Sequence, residues 1–155
     1  MNLHLFVSCG GHDEMDMFVN IQKASAEGEW IPWNTLDEPH PGAWGKCRVS
    51  RRELDADLSK KHIPVLSNTH EDKLEDGKTY EVDIAIVPTS RVYHKGERFR
   101  VQIAGRYIRE GWFEPLSWDT DNGGMHVIHT GEIHGSYIDI PVIEPRYTAG
   151  DYICR

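Results

Sequence analysis

Tyr80-Glu81-Val82-Asp83-Ile84-Ala85-Ile86 decides the fold class. Its hydrophobic period is two. Tyr80, Val82, Ile84 and Ile86 share one face, and Glu81 and Asp83 point the other way. Such alternation marks an antiparallel strand with one side on a core and one in water. The next strong segment, Arg98-Phe99-Arg100-Val101-Gln102-Ile103, repeats the pattern with Phe99, Val101 and Ile103. Pro88-Thr89-Ser90 and Lys95-Gly96-Glu97 lie between them and supply turn chemistry.

Outward from this pair, the same reading predicts strands at Leu3–Ser8, Asp16–Gln22, Ala43–Ser50, Gly124–Thr130 and Ser136–Ile143. Gly10-Gly11, Asp76-Gly77, Asn122-Gly123-Gly124 and Gly131 punctuate them. Helical signal is confined to Ser50–Lys60, where Ser50-Arg51-Arg52-Glu53 has the form of a capping box opening a short helical turn. Residues 105–124 read as one long loop carrying Trp112, Phe113 and Trp118 among acidic residues. The expected architecture is an all-β sandwich of short strands with one short helical turn and one long loop.

A chain of 155 residues is one domain's worth and has no room for a complete α/β-hydrolase. The net charge of −8 opposes a phosphate-binding surface. The nearest basic cluster, Arg98, Arg100, Arg106 and Arg109, is interleaved with Glu97 and Glu110 and reads as outward strand and loop positions. No nucleic-acid partner is expected. Cys9, Cys47 and Cys154 are odd in number and form no C-x-x-C, which reads as idle thiols in a reducing compartment. The opening Met1-Asn2-Leu3-His4-Leu5-Phe6-Val7 has no basic lead, and its apolar run is too short for a signal peptide or a membrane span. The expectation is a cytoplasmic protein without a membrane partner.

The order of motifs is more specific than any one of them. Leu74-Glu75-Asp76-Gly77-Lys78-Thr79-Tyr80-Glu81-Val82-Asp83-Ile84 leads to Pro88-Thr89-Ser90 and then to Lys95-Gly96-Glu97-Arg98-Phe99-Arg100-Val101-Gln102-Ile103-Ala104-Gly105. His126-Val127-Ile128-His129-Thr130-Gly131 and Ser136-Tyr137-Ile138-Asp139-Ile140-Pro141-Val142-Ile143 follow. Asp16-Met17-Phe18-Val19, Arg51-Arg52-Glu53-Leu54-Asp55 and Ile63-Pro64-Val65 stand upstream in matching order. Over residues 3–145 the chain resembles the C-terminal jelly-roll domain of the CocE/NonD and X-Pro dipeptidyl-peptidase hydrolases. The resemblance implies a galactose-binding-like jelly roll that shapes or covers a hydrolase pocket, and it transfers no catalytic residue. It also implies a single domain over 1–145 lacking the family's first strand, with residues 146–155 as a C-terminal extension. A lost strand leaves unpaired backbone at a sheet edge. The tail, or a second copy in a homodimer, is expected to cover it.

Catalytic readings from the residues alone are less specific. No serine has the G-x-S-x-G context of a nucleophile elbow. Cys9 beside Gly10-Gly11-His12 sits at a strand end, a poor place to lower a thiol pKa. His70-Glu71-Asp72 has facial-triad spacing, but His126 and His129 fall on opposite faces of a strand, so no metal and no cofactor is expected. Acid–base chemistry on a small organic molecule is the remaining enzymatic reading, as in an isomerase or cyclase. Its candidate groups are His126, His129, Asp119, Asp121 and Tyr137. Trp112, Phe113, Trp118, Arg106, His134 and Glu110 are the candidate ligand contacts. The competing reading is an accessory domain, free-standing or excised, that binds a small organic ligand or covers a partner's pocket without serine-hydrolase activity.

Overall fold

A computed structural model describes residues 1–35, 38–40, 42–108 and 119–143. The strands are β1 (Asn2–Gly10), β2 (Asp16–Ala24), β3 (Trp30–Ile31), β4 (Trp33–Thr35), β5 (Glu38–His40), β6 (Trp44–Arg48), β7 (Tyr80–Ala85), β8 (Arg98–Ala104), β9 (Met125–His129) and β10 (Tyr137–Asp139). All pairing is antiparallel, and two sheets pack into the expected all-β sandwich.

Both sheets follow one plan. In the first, β1 is central, with β7 on one edge and β9 and β10 in tandem on the other. In the second, β2 is central, with β8 on one edge and β6 and β3 in tandem on the other. β4 and β5 form a separate short ladder. The odd residues Leu3, Leu5, Val7 and Cys9 of β1 face Met17, Val19 and Ile21 of β2 across one core, joined by Val82, Ile84 and Ile86. Phe99, Val101, Ile103, Ile128 and Ile138 pack at its margin. Cys9 and Cys47 are buried free thiols, and burial pushes the Cys47 thiol up to about 12.

The sheets approach closely at Gly45. A Cβ there would lie 2.5 Å from the Ala85 carbonyl oxygen, so only glycine fits. The Val87 N–H donates to the Trp44 carbonyl beside it, tying β6 to the end of β7.

Three expectations change. The even residues of β2 are not in water: Phe18, Asn20 and Gln22 are as buried as their core-facing neighbours. Gln22 is held by Gln102 and Arg100, and Asp16 by Arg48, so this outer face is roofed by its own polar neighbours. The helical segment shrinks to a 3-10 turn at Val49–Arg51. Its capping box does not form. The Ser50 hydroxyl is buried without a partner, and Glu53 bonds Ser67, Thr69 and His70 instead. The last strand is also shorter than Ser136–Ile143, for only Tyr137–Asp139 joins the ladder. Pro141 just beyond has no N–H to donate.

Residues 11–15 carry the chain from one central strand to the other. Glu14 sits there at 1% exposure. Its Oε1 accepts the Met15 N–H at 3.0 Å and the Ser50 N–H at 3.1 Å, and Lys73 Nζ lies 3.3 Å from Oε2. Glu14→Ala orphans two buried donors and is expected to cost about 1–3 kcal/mol for each. Glu14→Gln keeps the acceptor oxygen and should lose less. Urea unfolding of the three proteins measures the difference, and equal stability of Glu14→Ala and wild type would contradict it.

Candidate functional site

The outer face of the first sheet gathers a continuous group of rings and polar atoms. Asn2, His4, Phe6 and Ser8 occupy it from β1, opposite the core-facing odd residues. Register brings Asp83 of β7 and Tyr137 of β10 beside His4, and His129 of β9 beside Phe6. His4 Nδ1 lies 3.0 Å from Asp83 Oδ1, and its ring stacks on Tyr137 at 4.8 Å. Phe6 meets His4 edge-on at 5.1 Å and His134 at 5.1 Å, and His134 meets His129 at 5.8 Å. Ser136 bridges the break between β9 and β10. Its hydroxyl accepts the Phe6 N–H at 3.0 Å and donates to the His129 carbonyl at 2.6 Å.

This face also holds a Ser–His contact, with Ser8 Oγ 3.0 Å from His129 Nε2. Nucleophile activation needs more: an orienting group on the imidazole and donors for an oxyanion. Among the described residues no carboxylate contacts His129. Ser8 is 6% exposed in the middle of a paired strand. The contact is one that a buried hydroxyl makes to satisfy itself.

The predicted site residues divide between separate places. His129, His134 and Tyr137 meet on the outer face of the first sheet. His126 lies on the other side of β9, opposite Cys9, with Nε2 3.1 Å from the Gly123 carbonyl oxygen. Asp119 and Asp121 belong to the second sheet's outer face: the Asp119 carbonyl accepts from Arg48, and the Asp121 N–H donates to Asp16. Asp121 also pairs with His12 at 2.8 Å. The proposed acid–base group of His126, His129, Asp119, Asp121 and Tyr137 is therefore not one constellation. Arg106 is exposed on the loop after β8. Glu110, Trp112, Phe113 and Trp118 lie outside the described residues, as do Arg109, Cys154 and residues 146–155. His70 contacts Glu53 at 2.9 Å, and Asp72 pairs with Arg52, so the two residues of the facial-triad spacing have separate partners.

His4, Phe6, Ser8 and Asp83 were missed, although alternation signals them. If Leu3, Leu5 and Val7 face the core, His4, Phe6 and Ser8 must share the other side. Asp16, Lys46, Arg48 and Arg51 were missed because no motif links them. Their meeting depends on the β2–β6 register.

Asp16 anchors that second face. Arg48 donates to its two oxygens at 2.8 and 2.7 Å, and the Asn122 side chain brackets its backbone, accepting from the Asp16 N–H at 2.6 Å. Burial pushes the Asp16 carboxyl up, but the bonds from Arg48 and the Asp121 N–H, with the Arg48 and Lys73 charges, outweigh it and hold it below its ordinary value.

A family profile described as the X-Pro dipeptidyl-peptidase C-terminal non-catalytic domain matches residues 1–139. The chain belongs to this family. Two crystal structures of a CocE/NonD family hydrolase from Staphylococcus aureus superpose on this X-Pro dipeptidyl-peptidase C-terminal domain with a TM-score of 0.79 and 32% identity. In each, the match covers 87% of this chain and 26% of the hydrolase, so the domain spans about a quarter of that protein's length. No curated protein matches. Among the described residues, no helix is long and apolar enough to cross a membrane.

The lowered Asp16 carboxyl has a pH consequence. Its folded-state pKa lies below the unfolded value of about 3.9, so its stabilisation is complete above that value and lost as pH falls through the folded one. Asp16→Asn is expected to lose about 1.5–3 kcal/mol at neutral pH, the worth of hydrogen bonds to a charged group. The gap from wild type should close on acidification from about pH 5 to about pH 2. Urea unfolding across that range tests it; a gap that stays constant would contradict the assignment.

Proposed function

We propose that the domain serves as a non-catalytic cover for an α/β-hydrolase-type catalytic part, docking through the β9–β10 side of the first sheet. The observation that carries this reading is the exposed apolar side chains strung along 125–143. Ile133, Val142 and Ile143 are 85–89% exposed, and Met125, Tyr137 and Ile140 are exposed beside them. Soluble domains scatter single apolar residues over their surface, but a concentration along one edge marks an interaction site. The chain's span of about a quarter of the Staphylococcus aureus hydrolase supports a catalytic partner, in the same polypeptide or a separate one. The ring group of His4, Phe6, His129, His134 and Tyr137 adjoins this edge and offers it a stiff, polar-rimmed floor.

A stand-alone isomerase or cyclase has less support, because its acid–base candidates stand on different faces. A homodimer through the same edge is the competing occupant.

The test is co-expression of this chain with the remainder of the Staphylococcus aureus hydrolase, from which the matching quarter has been removed. A 1:1 complex is expected. Val142→Glu with Ile143→Glu should abolish it while leaving the melting temperature unchanged, since both side chains are already in water. A chain that stays monomeric alongside the hydrolase would overturn the reading. A homodimer broken by the same substitutions would assign the edge to a second copy.

A further inference from the structure

Residues 54–66 leave the 3-10 turn and fold back on themselves. Antiparallel bridges close this excursion at both ends, Leu54 with Leu66 and Lys60 with Ile63. At the tip the Lys60 N–H donates to the Ile63 carbonyl at 3.0 Å, and the Ile63 N–H donates back to the Lys60 carbonyl at 2.9 Å. The Ser59 hydroxyl accepts the Val65 N–H at 3.0 Å and donates to the Val65 carbonyl at 3.1 Å. Asp55 Oδ1 accepts the Asp57 and Leu58 N–H groups, each at 2.9 Å. The tip is therefore shaped by its own bonds, and a partner that takes it has little chain to order.

This stiff tip holds apolar side chains out into water. Leu58 is 62% exposed and Ile63 58%. Lys60, Lys61 and His62 are exposed between them. The two lysines are electrostatic exceptions. Lys23, Arg48, Arg51, Arg52, Lys73 and Lys78 each pair with a carboxylate. Neither tip ammonium has a carboxylate within ion-pair reach among the described residues, although Asp57 is exposed in the same turn. Two adjacent unpaired cations flanked by exposed aliphatics are a local departure on a chain of net charge −8.

The tip also adjoins the edge already described. His62 Nδ1 lies 3.9 Å from Asp139 Oδ2 on β10, and the next residue along, Ile140, is exposed. An apolar centre with a charged border is the layout of a protein interface. An anionic bilayer fits less well, since surface attraction to lipid takes a cluster of about 4–8 basic residues.

We propose that the 58–63 tip is a prong of the docking edge, seating Leu58 and Ile63 in an apolar recess of the catalytic part while Lys60 and Lys61 meet carboxylates on its border. This rests on the docking reading above and adds the chemistry of the partner's face.

Association and dissociation rates of this chain with the truncated Staphylococcus aureus hydrolase test it. Lys60→Glu with Lys61→Glu is expected to slow association about tenfold at about 50 mM salt, and the difference should vanish at about 500 mM, because exposed charges steer encounter and are screened. Leu58→Ser with Ile63→Ser should leave association nearly unchanged and speed dissociation about tenfold. All four side chains are in water, so both variants should melt with the wild type. Unchanged association in the lysine variant would overturn the acidic border. Unchanged dissociation in the Leu58 and Ile63 variant would overturn the recess. Either result leaves the docking edge standing, whereas failure to form any complex would overturn edge and prong together. Sedimentation of the free chain with vesicles of about 30% phosphatidylserine, lost in the same variants, would assign the tip to a membrane and overturn the protein partner.

Discussion

A carboxylate buried at a crossover governs the arrangement. Residues 11–15 must pass between the two sheets, and a chain leaving its ladder there loses partners for its N–H groups. Glu14 supplies them from a side chain, accepting from Met15 at the start of β2 and from Ser50 in the 3-10 turn after β6. The same passage is tied on both sides by backbone bonds. Val49 donates to the Met15 carbonyl, Leu74 to Asp13, and Gly77 to Cys9. The order of strands in both sheets therefore hangs on this short link, because it sets where β1 ends and where β2 begins.

From that link follow two central strands with different outer faces. β1 presents His4, Phe6 and Ser8 to a ring-lined surface whose edge is apolar and exposed. β2 presents Asp16, Phe18 and Gln22 to a polar roof with a cavity of mixed charge beside it. Neither face assembles the predicted acid–base group, for His129 and Tyr137 stand on the first, His126 on the other side of β9, and Asp119 and Asp121 beside the second.

Period-two alternation was legible wherever one side of a strand met the core and the other met water. Tyr80, Val82, Ile84 and Ile86 are buried as the alternation requires, and Phe99, Val101 and Ile103 pack against the same core. The order of motifs also carried the family. The reading failed where polar residues are buried by partners distant in sequence. Nothing near Gln22 in the chain announces Arg100, and nothing near Asp16 announces Asn122. It failed again at Ser50, where a local helical signal yielded to a longer-range one: the backbone N–H that a capping glutamate would have taken was already bound by Glu14.

The sequence by itself determined seven of the ten described strands, all but β3, β4 and β5, with the side of each that faces inward and the kind of domain they make. Those properties depend on neighbours two residues apart and on turn chemistry, both local. Tertiary structure decided which outward residues meet. Placing Tyr137 on His4, His134 between Phe6 and His129, and Arg48 on Asp16 requires the register between strands. A shift of one residue would exchange every inward for every outward side chain, so burial of the core fixes the register. The outer faces, and the candidate sites on them, are consequences of that core.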